Sequence, residues 1–226
     1  METRYERNIP ALSEEQCQQL RTKRILVAGC GGLGGHLIEL LSRIGIGFIR
    51  AIDGDVFESS NLNRQLLSET ALLGIGKADA ASIRVARINP DVKVDSIKVF
   101  IDENNAENLI EGMDVVLDAL DNIESRRILA KACSKAGIPY IYGAIRGWVS
   151  QAAISMPGDH LIDLLYPEGS VLKDKSVLSF TPALCASMQA ALCVKLLTEQ
   201  PVVTGELYYF DLLNQEFEII PLALTE

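Results

Sequence analysis

Apolar and polar positions along the chain switch repeatedly between two patterns, and the switching predicts a succession of strands and helices through residue 143. Arg24–Ala28 is a short apolar run that reads as a buried strand. Leu33–Arg43 sets Leu33, Leu37, Leu40 and Leu41, with Ile44 just beyond, on one side of a helix. Phe48–Ile52 predicts a second strand, ending at Asp53. Lys77–Ile88 predicts a helix stopped by Asn89-Pro90, and Val92–Phe100 a third strand. Asp114–Leu120 (DVVLDAL) predicts a buried strand, Ser125–Lys135 a helix closed by Gly137, and Pro139–Tyr142 the next strand. This order implies an α/β fold, a Rossmann-like doubly wound sheet that is mostly parallel, whose ligands lie beyond the carboxyl ends of its strands.

The pattern changes after Gly143. Trp148–Met156 alternates as an antiparallel strand does, and residues 157–180 form an aperiodic segment longer than a passive connection usually is. Thr181–Leu197 predicts a helix with Thr181 as its N-cap and Pro182 in its first turn. Leu207–Asp211 and Phe217–Leu222 predict a closing hairpin around Leu213, Asn214 and Gln215, so antiparallel C-terminal strands continue the sheet. No repeat, low-complexity stretch or linker interrupts the chain. It reads as one domain over 1–226, with an arm (1–22), a nucleotide-binding half (23–143) and a second half (144–226) that contains the 157–180 segment.

Composition narrows the function. An apolar fraction of 48% in 226 residues suffices for one sizeable core, and the scarcity of aromatics beside abundant Ala, Val, Ile and Leu suits a parallel sheet covered on both faces. A net charge of -9 argues against nucleic acid or an anionic membrane as partner. No run approaches the roughly 18 apolar residues of a membrane span, and the opening METRYERNIP lacks the apolar stretch of a secretory signal. The five cysteines, Cys17, Cys30, Cys133, Cys185 and Cys193, form no disulfide scaffold and read as reduced thiols in the cytoplasm. His36 and His160 are too few and too far apart for a metal centre.

The chemistry concentrates in two stretches. GCGGLGG, Gly29–Gly35, follows the first strand, and its glycines let backbone N–H groups approach a phosphate chain at a helix N-terminus. Gly29, Gly31, Gly32 and Gly34 carry this loop, which alone serves a dinucleotide as readily as ATP. Asp53 ends the second strand at about the roughly 20-residue distance expected of a ribose ligand, and Asp55 competes for that role. NLNRQ, Asn61–Gln65, does not fit a redox dinucleotide. Arg64 or Lys77 alone would pass for a surface cation. Together with Asn61 and Gln65 they form a polar, cationic set suited to a triphosphate, and Lys77 opposes the dipole of the helix it opens, as a cation facing a bound anion would. Asp121, followed by Asn122 at the mouth of the same crevice, reads as a magnesium ligand or as a helix N-cap; Asp118 reads as buried support. Cys30 is the one thiol at a helix N-terminus, where a lowered pKa would arise, but no base lies beside it in sequence and it is expected to face the core.

Taken in order, RYERN, GCGGLGG, AIDGD, SSNLNRQ, Lys77, INPDV and LDALDN resemble the ThiF/MoeB/HesA family of adenylating enzymes, related to the ubiquitin-activating enzymes, over about Arg4 to Pro221. The resemblance implies transfer of AMP from MgATP to the C-terminal glycine carboxylate of a ubiquitin-like sulfur carrier ending in Gly-Gly, in thiamine or molybdopterin-type synthesis. It implies that Asp53 holds the ribose, that Gly31 and Gly32 line the nucleotide loop, that Asn61, Arg64, Gln65 and Lys77 hold phosphates, and that Asp121 holds magnesium. Arg7, in RYERN, would act as an arginine finger from the second subunit of a homodimer. The segment 157–180, with Leu161, Ile162, Leu164, Leu165 and Tyr166, would cross over the carrier tail. Many members carry two Cys-x-x-Cys pairs for a structural zinc; this chain has none, nor a cysteine within 157–180, so zinc is not expected and a separate sulfur donor is. Three rivals stand beside this reading. Another carboxylate could be adenylated. A NAD-dependent oxidoreductase would lack a proton donor and leave Arg64 and Lys77 unexplained. A non-catalytic pseudo-subunit would not need the phosphate-handling residues kept here.

Overall fold

In the computed structural model, which describes residues 3–171, 174 and 176–223, the arm is itself structured. Thr3–Asn8 is a short 3-10 helix and α1 spans Glu14–Thr22. The Ser13 side chain accepts from Gln16 N–H while Ser13 N–H donates to the Gln16 side chain, a reciprocal cap for two otherwise unpaired amides. Cys17 and Leu20 are buried, so the segment packs on the domain.

In chain order there follow β1 (Arg24–Ala28), α2 (Gly32–Ile44), β2 (Phe48–Ile52), α3 (Lys77–Ile88), β3 (Lys93–Ile97), α4 (Ala106–Ile110), β4 (Val115–Asp118) and α5 (Ile123–Ala136). The second half contains β5 (Tyr140–Arg146), β6 (Val149–Ser155), α6 (Leu161–Leu165), α7 (Phe180–Leu197), β7 (Glu206–Asp211) and β8 (Glu216–Pro221). One eight-stranded sheet runs β3-β2-β1-β4-β5-β6-β7-β8. The pairings from β3 to β5 are parallel and those from β5 to β8 antiparallel, as the alternation predicts. The central strands β1 and β4 are apolar between Arg24 and Asp118 at their ends because helices cover both faces. Leu33, Leu37 and Leu41 of α2, Ala81 and Val85 of α3 and Cys193 of α7 fill one side, and Leu109 of α4, Leu129 of α5 and Leu161 of α6 the other. The strand order reverses at β1, between β2 and β4, which opens a crevice at the carboxyl ends.

Four expectations are corrected. β3 stops at Ile97, because Val99, Phe100 and Ile101 leave the sheet to line a cavity. Thr181 is not the N-cap of α7. It lies inside the helix, buried, and its Oγ1 donates to the Gly147 carbonyl at 2.7 Å. The aperiodic 157–180 segment contains α6; Leu172, Lys173 and Lys175 within it lie outside the described residues. Finally, α7 is long and apolar enough, by length and composition, to cross a membrane. Here it is a core helix: Cys185, Ala186 and Cys193 are buried, and Gln189 Nε2 donates to the carbonyls of Asp118 and Ile141 at 2.9 and 3.0 Å.

Candidate active site

The strand ends at the reversal open onto a cavity of about 310 Å³. Gly29 bends the chain out of β1 with φ of +95°, and a Cβ there would lie 2.6 Å from the Ala119 carbonyl oxygen. A Cβ at Gly34 would lie 1.7 Å from the Gly29 carbonyl oxygen, so only glycine lets α2 sit directly on the loop. Gly34 is therefore a packing glycine that lies outside the cavity lining, while Gly29, Gly31 and Gly32 line it. No side chain caps the first turn of α2, which leaves its amides for an anion.

Asp53 and Asp55 both reach the cavity but are held differently. Asp53 Oδ2 accepts from Cys30 N–H at 2.8 Å and Oδ1 from Asp55 N–H at 2.9 Å. Burial pushes the Asp53 carboxyl up, and these two N–H groups and Lys77 oppose the shift. Asp55 pairs instead with the buried Lys77, Nζ to Oδ2 at 3.1 Å. Gln65 is buried beside Gly31, with its Oε1 unpartnered. Arg64 donates to Ser60 O and Asn63 Oδ1, both at 2.9 Å. Asn61, expected among the phosphate ligands, does not line the cavity. Its Oδ1 accepts from Glu58 N–H at 3.0 Å, and its carbonyl accepts from Arg64 and Gln65 N–H at 3.1 and 3.0 Å, so it shapes the turn that carries them.

On the other side of the crevice, Asn122 takes the N-cap of α5, its Oδ1 accepting from Ser125 N–H at 2.8 Å. The capping alternative thus falls on Asn122. Asp121 lines the cavity with an exposed carboxylate that has no hydrogen bond or ion pair among the described residues. Arg7 is exposed in the Thr3–Asn8 helix. Tyr5 of the same helix lines a second cavity together with Arg24, Phe48 and Lys93, the first residues of β1, β2 and β3. The arm therefore sits at the end of the sheet opposite its own cavity.

Several cavity residues escaped the sequence reading. Asp118, expected as buried support, is fully buried and pairs with Arg126, which also donates to the Gly143 carbonyl at 2.9 Å and to the Leu120 carbonyl. Burial works against the Arg126 cation, but Asp118 and the surrounding tyrosines more than restore it, so the guanidinium stays charged. Nothing in the local pattern of α5 marks this arginine. Phe100 and Arg146 also line the cavity, as does Tyr166 of the 157–180 segment, which the sequence did single out. Phe100 and Arg146 could have been found by asking which residues lie at or just beyond strand ends. The Tyr166 hydroxyl lies 2.7 Å from that of Tyr142.

All five cysteines are free and buried. Cys30 faces the core, as expected, and is no activated thiol. Burial and then Asp53 push it well above the ordinary thiol value, against the pull of Lys77. Burial raises Cys133 and Cys185 to about 12 each.

The ThiF family profile matches residues 5–226. The SAMP-activating enzyme E1 of Haloferax volcanii is 34% identical, over 96% of this chain and 84% of its own. The sulfur carrier protein adenylyltransferase of Thermus thermophilus is 31% identical, over 95% and 84%. Other relatives of 30–32% identity are longer, and the chain spans 59–60% of them. Among solved structures, E. coli MccB with ATP matches with a TM-score of 0.84 at 22% identity, over 100% of this chain and 73% of that one. That likeness shows a shared fold.

Proposed function

The chain belongs to the ThiF family, and from that premise we propose that it is an ATP-dependent adenylyltransferase that activates the C-terminal glycine carboxylate of a ubiquitin-like sulfur carrier. One observation carries the assignment at the level of residues. Asp53, Arg64, Gln65, Lys77 and Asp121, scattered along the sequence, line a single cavity beside the glycine loop.

In the reaction a carboxylate oxygen bonds to the α-phosphorus of ATP as the bond from that phosphorus to the bridging oxygen breaks. Pyrophosphate leaves with the electron pair, and the product is an acyl-adenylate. No proton need move, so catalysis rests on positioning and on charge stabilisation. Asp53, fixed by two backbone N–H groups, supports ribose binding. Val99, Phe100 and Ile101 offer the base an apolar wall. Arg64, Lys77, the Gln65 amide and the α2 amides face the phosphates.

The donor set fits magnesium brought in with the triphosphate. Mg²⁺ takes one or two carboxylates beside phosphate oxygens and water, Asp121 offers one uncommitted carboxylate, and no cluster of three or more ligands occurs among the described residues. Asp121 would hold the ion, which when bound neutralises charge developing on the phosphates.

The position of Arg7, exposed and away from its own cavity, supports an in-trans role in a homodimer. Five buried thiols support a separate sulfur donor and a reducing, cytoplasmic setting, and the missing Cys-x-x-Cys pairs support an enzyme without zinc. Calorimetric titration tests the nucleotide assignment. MgATP is expected to bind and NAD to give no comparable heat; tight NAD binding with hydride transfer would contradict it.

A further inference from the structure

The cavity wall built by β5 and the segment after α6 carries a cation that none of these roles employs. Among the cations lining the cavity, Arg64 donates to Ser60 and Asn63, Lys77 pairs with Asp55, and Arg126 is buried against Asp118. Arg146 is the last residue of β5 and is exposed, and among the described residues its guanidinium makes no hydrogen bond or ion pair.

Its backbone, by contrast, is firmly held. Arg146 pairs with Val149 across the β5–β6 turn. Gly147 N–H donates to the Ser176 carbonyl at 2.7 Å, and the Gly147 carbonyl accepts from Thr181 Oγ1 at 2.7 Å. A fixed main chain thus presents an uncommitted planar cation to the cavity. That cation is a fork suited to a carboxylate.

Its location selects the ligand. The phosphate donors Arg64, Gln65 and Lys77 follow β2, Asp121 follows β4, and Arg146 ends β5 on the side away from β2. A nucleophile entering from the β5 side passes the wall that carries Arg146. One acid of this chain, Asp174, already lines the cavity within electrostatic reach of Arg146, although its oxygens are taken by Ser176 N–H and Oγ at 2.8 and 3.1 Å.

We propose that Arg146 binds the terminal carboxylate of the substrate protein, gripping it so that one oxygen stays aimed at the α-phosphate. This rests on the adenylation reading above. Phosphate contacts leave the choice of nucleophile open, so Arg146 makes the site selective for a free carboxylate.

The test uses the full chain and a recombinant ubiquitin-like sulfur carrier ending in Gly-Gly, prepared with a free C-terminus and as the C-terminal carboxamide. The wild type is expected to catalyse carrier-dependent ATP–pyrophosphate exchange and to bind the free-acid carrier roughly ten- to hundred-fold tighter than the amide, the factor for a hydrogen-bonded charge. Arg146→Gln is expected to raise the carrier KM by a similar factor, to leave the ATP KM unchanged, and to bind both carriers alike. Arg146→Lys should restore part of the preference. Unchanged MgATP affinity and melting temperature exclude a folding defect. If Arg146→Gln keeps the wild-type preference, or loses ATP affinity instead, the role of Arg146 is overturned while adenylation stands. Wild-type protein without carrier-dependent exchange overturns the adenylation reading and this role with it.

Discussion

Replacing Asp121 by alanine is expected to lower carrier-dependent ATP–pyrophosphate exchange by about a thousandfold or more, with little change in thermal stability. The carboxylate is exposed and uncommitted among the described residues, so its removal breaks no internal contact. In the proposed role its loss would remove the hold on a metal ion whose charge stabilisation is worth several kcal/mol, and about 4 kcal/mol is three orders of magnitude. Asn122, not Asp121, caps α5, so the helix survives the change. The same variant tests the dimer. Each Asp121→Ala subunit keeps Arg7, and each Arg7→Ala subunit keeps Asp121, so mixed dimers contain one site with both residues intact if Arg7 acts in trans. Mixing the two inactive variants is expected to restore part of the activity. Near-normal exchange in Asp121→Ala would show that the site is misplaced, and verified mixed dimers without recovery would count against the in-trans arginine.

Arg126→Met is expected to destabilise the fold by about 3–5 kcal/mol at neutral pH, the usual cost of removing one partner of a buried ion pair. The fully buried Asp118 would be left without its cation. Burial alone pushes that carboxyl up, so it is easier to ionise in the unfolded chain than in the variant's core. For a carboxyl raised by folding, stability is fully present below the unfolded value of about 3.9 and is lost as pH rises through the folded one. The deficit of Arg126→Met should therefore shrink towards pH 4 and be largest at neutral pH, as read by urea unfolding. Adding Asp118→Asn should recover part of it. Activity should fall as well, because Arg126 ties the carbonyls of Leu120 and Gly143 and so fixes the strand ends that carry Asp121 and Arg146. A variant within about 1 kcal/mol of wild type at pH 7 would contradict the account of the pair.

The parallel half of the sheet was legible because β1 and β4 are short, mostly apolar runs and the long helices α2, α3 and α5 are periodic, and both signals are local. That Gly29, Gly31, Gly32, Asp53, Arg64, Gln65, Lys77 and Asp121 share one cavity was legible because they fall at or after strand ends in a doubly wound fold, where ligands collect. At Asn61 residue type alone does not separate a turn former from a ligand: its side chain closes the Glu58–Asn61 turn. For Gly34 the sequence does not show that glycine is demanded by the close contact of α2 with Gly29. Arg126 was invisible because a buried arginine is explained only by its distant partner Asp118, a tertiary fact. α6 escaped notice because five residues are too short for helical periodicity to register. The capping box of α1 was present as Ser13 and Gln16, and a systematic search for that spacing would have found the helix in the arm.

The most direct test of the account is the product itself. The protein is mixed with MgATP and a ubiquitin-like sulfur carrier ending in Gly-Gly, quenched rapidly in acid, and the carrier is weighed by mass spectrometry. The expected result is a carrier heavier by one AMP moiety on its terminal glycine, formed with release of one pyrophosphate and absent when the carrier ends in a carboxamide. A carrier that stays unmodified while ATP is hydrolysed to ADP and phosphate, or an adduct on a side chain in place of the terminal carboxylate, would contradict it.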